Sequence, residues 1–284
     1  TAFHRLGQLA HSNAPNRAPA LYQQALALRR ELGGQRGIAV VLTNLGTLAM
    51  GQGDLANARQ LYEESGALWR EVRDPWGISR ILNNLGWVAM EQEDYAAAHL
   101  FLAQSLAVAK EAGFKERSAD TLNSLGHLAL MEGDYVAARA RIEAALALAQ
   151  EIRLISRIAE ALYGLGRLAA QQGAMAQAGT FFHESLRLYQ KLGDLRGLAH
   201  GLAGVAGLAV AHGAWTRAVE LLSMVERVLP ASQLRLDRWE QQQRERDVAA
   251  TRAHLDAAAW AAAWAAGQAL SIEQAIAQTR PPPS

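Results

Sequence analysis

The sequence contains no cysteine, so disulfide bonds and thiolate chemistry are excluded, and the chain suits a reducing compartment such as the cytoplasm. Aromatic residues make up only 6% of the chain, although half of all residues are hydrophobic. The apolar share consists mainly of alanine and leucine, which is typical of packed helices rather than of sheets. This composition favours an all-helical protein whose core is built from small and aliphatic side chains.

An excess of charge of one sign is also missing, since 28 basic residues stand against 27 acidic ones and the net charge is +1. No stretch concentrates positive charge, which argues against direct contact with nucleic acid. No apolar run approaches about 18 residues without polar interruption, and no signal peptide opens the chain. We therefore expect a soluble, cytoplasmic protein without membrane contact. Because the chain starts inside a repeat and without Met, we expect it to be a segment of a longer protein.

A Leu-Gly pair recurs every 40 residues inside segments that otherwise have helical spacing of apolar residues. The pairs are Leu45-Gly46, Leu85-Gly86, Leu125-Gly126 and Leu165-Gly166. Glycine inside a helix costs about 0.5–1 kcal/mol relative to alanine, so its repetition needs a reason. We interpret it as a position where a side chain is omitted because the paired helix crosses there.

Each repeat consists of two amphipathic runs that are separated by a short break. The breaks are Gly53-Asp54, Glu93-Asp94, Gly133-Asp134, Gly173-Ala174 and Gly213-Ala214. The second run has alanine at one fixed position and a large residue four positions later. The large residues are Tyr22, Tyr62, Leu102, Ile142, Phe182 and Leu222. This pattern predicts helix-turn-helix units in which small and large side chains interlock.

The positions of Gly86, Ala89, Ala98 and Leu102, repeated through about residues 1 to 230, resemble the tetratricopeptide repeat (TPR). The 40-residue period is longer than the common one of about 34 and is similar to a variant found in bacterial signalling regulators and some eukaryotic scaffolds. The resemblance implies an all-α, right-handed α-solenoid of six helix-turn-helix repeats. The expected repeats are about 1–34, 35–74, 75–114, 115–154, 155–194 and 195–230.

After residue 230 the period ends, and we expect residues 231–278 to form a C-terminal helical cap over the last repeat. Ser271 and Gln274 have capping-box spacing, and Trp260 and Trp264 can supply the apolar side of the cap. Residues 279–284 are expected to be a disordered tail. The stretch AWAAAWAAGQALSIEQAIAQ resembles the end of the C-terminal TPR sensor region of bacterial STAND (NB-ARC-like) ATPase transcriptional regulators. That resemblance implies an attached ATPase switch domain.

No arrangement typical of an active site, a metal site or a cofactor site is found. The glycines Gly201, Gly204 and Gly207 lack the preceding strand and the Gly-Lys-Ser/Thr of a phosphate-binding loop. His183 and Glu184 do not complete a zinc-protease motif, because a second histidine is missing four residues after His183. We therefore expect no enzymatic activity, no metal and no cofactor in this segment.

One side of the first helix of each repeat does not recur from repeat to repeat, so its residues are released from packing. In the TPR family this side lines the concave groove. Amide side chains there can pair with both N–H and C=O groups of an extended peptide, and aromatic rings add flat contact area. The predicted site for a peptide, a protein segment or a small polar ligand comprises Thr43, Asn44, Arg80, Asn83, Asn84, Trp87, Asp120, Asn123, Ser124, His127, Glu160, Tyr163 and Arg167.

Structural interpretations of these residues stay open beside the functional one. The amides can bond neighbouring helices, Trp87 can fill a gap between repeats, and Arg80, Asp120 and Glu160 can form ion pairs between repeats. Trp69 and Tyr189 occupy equivalent places on second helices, either as half-buried ridge residues or as a second, lateral contact surface.

The leading functional hypothesis is a ligand- or partner-sensing TPR domain of a larger bacterial signalling or transcriptional regulator. Its groove would bind an inducer or a partner, and a difference in affinity between two arrangements would shift the attached ATPase switch. The first alternative is a protein–protein scaffold without switching, and the second is an oligomerisation element.

Overall fold

The structure is a computed structural model that describes residues 18–232 and 235–279. Within these ranges it contains fourteen α-helices and no strand. They are α1 (Ala18–Leu32), α2 (Gln35–Gln52), α3 (Leu55–Glu71), α4 (Pro75–Glu91), α5 (Tyr95–Glu111), α6 (Lys115–Glu132), α7 (Tyr135–Glu151), α8 (Ile155–Gln171), α9 (Met175–Leu192), α10 (Leu195–Ala211), α11 (Trp215–Ser232), α12 (Arg238–His254), α13 (Ala257–Ala269) and α14 (Ile272–Gln278). The predicted all-α repeat fold is confirmed.

The chain divides into two compact units. The N-terminal unit comprises residues 1–132 with 232–235, and the C-terminal unit comprises residues 133–231 with 236–284. The fourth predicted repeat is divided between them, since α6 belongs to the first unit and α7 to the second. The predicted boundaries of the repeat region and of the cap stay predictions.

In the N-terminal unit, α2 packs along α3 and α4 packs along α5, and consecutive hairpins stack on one another. The glycines of the Leu-Gly pairs lie where the two helices of a hairpin cross. A Cβ atom at Gly46 would lie 2.5 Å from Cε1 of Tyr62, and one at Gly86 would lie 2.6 Å from Cδ2 of Leu102. These distances are too short for real contacts, so the interpretation of the glycine is confirmed: the large residue of the second helix takes its side-chain space.

The C-terminal unit repeats the same crossing, because a Cβ atom at Gly166 of α8 would lie 2.6 Å from Cδ1 of Phe182 on α9. Its core extends from Ala159 in α8 to Ile276 in α14. Helix α12 packs against α10, and α14 contacts α9. The helices after the last repeat are therefore built into the core of this unit.

The turns within repeats follow the predicted breaks. Asp54, Asp94 and Asp134 each accept a hydrogen bond from the backbone N–H three residues later and so cap the second helix. The preceding residue, Gly53 in the second repeat, has φ 79°, a left-handed conformation that glycine adopts without steric cost. Helix α9 departs from this pattern, because Ala174 provides no side-chain cap.

Trp69 and Tyr189 are buried, so both interpretations of them, as half-buried ridge residues and as a lateral contact surface, are wrong. Only 2% of Trp69 and 4% of Tyr189 is exposed. Each ring lies against a glycine of the next first helix, and a Cβ atom at Gly77 or Gly197 would overlap it. Because Gly77 and Gly197 have no side chain, the two aromatic rings can pack between consecutive repeats.

The C-terminal helices are joined to the last repeat by polar contacts. The Arg227 guanidinium donates to the carbonyl oxygens of Gln268 and Leu270 at 2.5 Å each. Ser271 and Gln274 form the predicted capping box at the start of α14. The indole rings of Trp260 and Trp264 stack with centroids 4.8 Å apart, and Trp264 packs against the core.

Two predictions fall partly outside the described residues. The predicted first helix of the first repeat falls in residues 1–17, and most of the predicted tail falls in residues 280–284, which lie outside the described residues. Within the described ranges, no helix combines the length and the apolar character that crossing a bilayer requires.

Candidate functional site

Ten of the thirteen predicted site residues belong to the N-terminal unit and three belong to the C-terminal unit. Helices α2, α4 and α6 carry the ten. We call the surface that these ten residues form the first-helix face.

Thr43, one of these ten residues, does not reach the surface. Its side chain is fully buried, its hydroxyl donates to the carbonyl of Ala39 at 2.8 Å, and it lies 2.8 Å from the hydroxyl of Ser65. Thr43 therefore joins α2 to α3 and is out of reach of a ligand.

Trp87 joins α4 to α6. Its indole N–H donates to the Ser124 hydroxyl over 2.8 Å, and its ring lies 5.6 Å from the His127 ring, measured between centroids. Ser124 and His127 are buried, whereas Trp87 is half-buried and keeps part of its ring exposed. The polar edge of the indole is thus engaged inside the protein, and the exposed part of the ring is available for contact.

The amides of this face are incompletely satisfied. Asn83 is 8% exposed and Asn123 is 7% exposed, and within the described part of the chain the side-chain oxygen of each has no hydrogen-bond donor. Burying a polar atom without a partner costs about 1–3 kcal/mol. Asn44 accepts a hydrogen bond of 3.4 Å from Arg80, and Asn84 is half-buried. The unsatisfied oxygens of Asn83 and Asn123 can each still accept a hydrogen bond.

Two arginines lie over the ring of Trp76, a residue that was not predicted. The guanidinium carbons of Arg80 and Arg117 lie 5.7 Å and 5.1 Å from the centre of its ring. Arg117, also missed, forms a buried ion pair with Asp120 three residues later. The cation–π contacts of the two arginines are worth about 0.5–2 kcal/mol each.

In the C-terminal unit the predicted residues meet helix α12. The Tyr163 hydroxyl donates to Glu240. The Arg167 guanidinium lies over the Trp239 ring, 4.2 Å from its centre. Glu160 instead pairs with Arg157 of its own helix at 2.6 Å. Tyr163 and Arg167 are therefore covered by the protein's own helix.

Glu240 is the centre of a buried polar network. Its other oxygen lies 2.6 Å from Nδ1 of His200, and Nε2 of His200 lies 3.2 Å from Nε of Arg196. Burial by itself would raise the pKa of Glu240, but the charge of His200, its hydrogen bond and the charge of Arg167 together lower that pKa to about 2. Burial beside this carboxylate raises the pKa of Tyr163 well above its usual value.

Three possible metal ligands meet in the same network. The ligand atoms of His200, Asp237 and Glu240 lie within 4.8 Å of one another. Arg196 pairs with Asp237 at 2.9 Å, and Glu240 pairs with His200, so a metal ion would have to replace both interactions. The absence of a metal site therefore stays a prediction.

Sequence reasoning missed the residues of α12 that meet the repeats. A signal existed, because Trp239, Gln243 and Asp247 are spaced by four and form one stripe along an otherwise charged helix. That stripe indicates a packed face, but not the surface it packs against.

Comparison with known proteins supports the TPR resemblance. Residues 37–111 match the family model described as tetratricopeptide repeat. Comparison with curated proteins finds no match.

Several solved structures share the fold. The crystal structure of a Rap protein complexed with competence and sporulation factor is 12% identical, with a TM-score of 0.69 over 98% of this chain and 86% of that one. The apo form of RapI is 15% identical, with a TM-score of 0.59 over 88% of this chain and 96% of that one. BtubC (BKLC) from P. vanneervenii is 20% identical, with a TM-score of 0.57 over 78% of this chain and 93% of that one. At such identities the likeness shows the fold, which is TPR-like, and it indicates no enzyme family.

Proposed function

We propose that this chain is a non-catalytic recognition module that binds an extended segment of a peptide or partner protein on the first-helix face of its N-terminal unit. The observation that carries the proposal is the pair of buried side-chain oxygens of Asn83 and Asn123, which have no donor within the described residues.

An extended peptide offers the donors that these oxygens need. Asn83 and Asn123 occupy the same position in consecutive repeats, on helices that pack against each other. Backbone N–H groups of an extended chain recur at regular intervals, so one segment can donate to both amides. The half-exposed ring of Trp87 adds apolar contact area with little loss of side-chain entropy.

The similar structures support a binding role. The Rap protein was crystallised in complex with competence and sporulation factor, so a chain of this fold takes a binding partner. No cofactor is needed for recognition of this kind, and we propose that the module acts in the cytoplasm.

The finer proposal is a sensor domain of a larger bacterial signalling regulator with an attached ATPase switch. It is supported by the resemblance of the C-terminal stretch to STAND regulators. Binding would shift the switch only if the ligand had different affinities for its two states. This part is tested by reading the complete coding sequence, because a regulator of that class must contain a phosphate-binding loop upstream. If no such loop is present, the scaffold alternative takes its place.

The binding proposal is tested with leucine variants at the two amides. Peptides selected from a random-sequence display library on the wild-type chain are titrated by calorimetry against Asn83→Leu, Asn123→Leu and the double variant. We expect at least tenfold weaker binding by the double variant, with stability unchanged or higher, because leucine removes the unsatisfied oxygens.

The matched control is Asn57→Leu, which changes an exposed amide on α3 and should leave peptide affinity unchanged. Equal peptide binding by the double variant would place recognition elsewhere. A loss of stability above about 1 kcal/mol in each single variant would assign the amides to packing instead. Light scattering of the free chain tests the oligomerisation alternative.

A further inference from the structure

The C-terminal unit contains a cavity of about 210 Å³ that is lined in part by Tyr163 and Arg167 of the predicted site. It lies between α8, α9, α10 and α12. Met175, Phe182 and Leu208 form apolar parts of its wall, and the indole of Trp239 forms another. Small-molecule sites in proteins share this character, with mostly apolar walls and a few polar groups that orient the ligand.

Two glycines of α10 border the space. Gly204 and Gly207 line the cavity and contribute no side chain to it. A Cβ atom at Gly204 would lie 2.7 Å from Cζ of Phe182, and one at Gly207 would lie 3.4 Å from Oδ2 of Asp247. Repeats two to five carry Asn44, Asn84, Ser124 and Gly164 at the position of Gly204, and Thr47, Trp87, His127 and Arg167 at the position of Gly207. The glycine at position 207 thus distinguishes this repeat from those four.

The positive charges that line the cavity already have partners. Arg167 lies over Trp239 and its charge acts on Glu240. Arg244 forms an ion pair with Glu226. An anionic ligand would therefore have to compete with carboxylates that the protein supplies itself.

The acceptors that line the cavity are less well satisfied. Asp247 is 3% exposed and accepts a hydrogen bond of 3.0 Å from Gln243, a neutral donor, and no ion pair involves it within the described residues. The side-chain oxygen of Gln171 is buried and has no hydrogen-bond donor in the same part of the chain. Among the described residues, the buried carboxylate pairs with no cation, and the buried amide oxygen has no donor. A ligand with a positive charge and N–H groups would complement both.

We propose that this cavity binds a small organic cation, a primary amine with an aromatic or other apolar body. The ammonium group donates to the carboxylate of Asp247 and to the side-chain oxygen of Gln171. The apolar body lies against Met175, Phe182, Leu208 and Trp239. The site lies wholly within the C-terminal unit, so it stands independently of the peptide-binding face proposed above.

The state of Asp247 agrees with this assignment. Burial raises the pKa of Asp247 to about 6, so its carboxyl group is mostly ionised at neutral pH and still lacks a cation. A bound ammonium group would supply that charge.

The test compares three probes of the same shape by isothermal titration calorimetry at pH 7.5. They are 2-phenylethylamine, which is a cation, 2-phenylethanol, which is neutral, and phenylacetate, which is an anion. We expect the amine to bind at least tenfold more tightly than the alcohol, and phenylacetate not to bind at millimolar concentration.

Two variants locate the binding. Asp247→Asn keeps an acceptor for Gln243 and removes the charge, so it should reduce the affinity for the amine to that for the alcohol. Gly207→Leu places a side chain in the cavity and should abolish binding of both. Circular dichroism and the thermal transition check that each variant is folded. Equal affinities for amine and alcohol, no binding of any probe, or unchanged amine binding by folded Asp247→Asn would each overturn the proposal.

Discussion

The two units use corresponding positions of their first helices in opposite ways. In the N-terminal unit, the oxygens of Asn83 and Asn123 find no donor among the described residues. In the C-terminal unit, the same position holds Tyr163, whose hydroxyl donates to Glu240 of α12. At this position, the N-terminal unit thus leaves buried acceptors without donors among the described residues, whereas the C-terminal unit pairs its polar group with its own helix.

The interiors of the two units do not share this difference. Gly86 accommodates Leu102 and Gly166 accommodates Phe182 in the same way, and the aromatic rings of Trp69 and Tyr189 cover Gly77 and Gly197 alike. Identical packing rules can therefore support one open face and one occupied face. The residues on the first-helix positions therefore vary independently of the packing between the helices.

The largest expected effect comes from removing the buried carboxylate of Glu240 in the C-terminal unit. Glu240→Ala leaves His200 and Tyr163 buried without their partner, and we expect it to lower the free energy of unfolding by about 3–5 kcal/mol. Urea denaturation measures the change. Glu245→Ala, on the exposed side of the same helix, is the control and should stay within about 0.5 kcal/mol. A loss below about 1 kcal/mol at Glu240 would mean that α12 is not held on the repeats by this network.

The next effect tests whether the interiors are equivalent. Gly77→Ala and Gly197→Ala each push a methyl group into an aromatic ring and should cost about 1–3 kcal/mol. In a Trp69→Ala background, Gly77→Ala should instead stabilise the chain by up to about 1 kcal/mol, because alanine favours the helix once the ring is gone. A double-mutant cycle by thermal or urea unfolding measures this reversal. Additive effects would show that the ring and the glycine do not share space.

A smaller, pH-dependent effect separates the units further. The folded-state pKa of Asp247, about 6, lies above its unfolded value of about 4, so the folded state holds the proton more tightly between these two pH values. Asp247 therefore lowers stability as the pH rises from 4 to 6. Asp247→Asn should raise the free energy of unfolding by about 1–2 kcal/mol at pH 7, reduced by solvent at the cavity, and by nothing at pH 4. Urea unfolding at both pH values measures this, and an equal gain at both would contradict the assignment.

The smallest effect concerns a missing cap. Ala174 stands where Asp54, Asp94 and Asp134 cap the second helices of other repeats. Ala174→Asp should therefore stabilise the C-terminal unit by about 1 kcal/mol, measured as a rise in the urea midpoint. Asp134→Ala is the matched reverse change and should cost a similar amount. A failure of the new aspartate to stabilise α9 would indicate that the turn there differs from its counterparts.

Much of the fold could be predicted because it repeats. The Leu-Gly pairs, the large residues that face them and the aspartate caps recur every 40 residues, and each contact joins residues close in sequence. The burial of Trp69 and Tyr189 was also readable, although we missed it. Where the second helix carries a large residue at the position of Trp69, the residue eight positions later is glycine. Where it carries alanine at that position, the residue eight positions later is arginine. The pairs are Arg29–Gly37, Trp69–Gly77, Ala109–Arg117, Ala149–Arg157 and Tyr189–Gly197.

The candidate site was less predictable. Periodicity selected residues on the non-recurring side of the first helices, but not their burial, and Thr43 lies inside the stack. The partners of Tyr163 and Arg167 come from α12, which is outside the repeat register and more than 70 residues away for both Glu240 and Trp239. A comparison of the repeats with one another cannot predict a partner that lies outside them.

The sequence by itself determined that this protein is a stack of helix hairpins, because the periodic glycines, alanines and large residues allow one way of packing. Only the tertiary structure decided which first-helix positions keep buried acceptors that find no donor in the described ranges, and which positions are covered by α12. The reason is physical: a polar atom buried in a protein is defined by the partner that reaches it, and here that partner comes from a helix without a counterpart in the repeat.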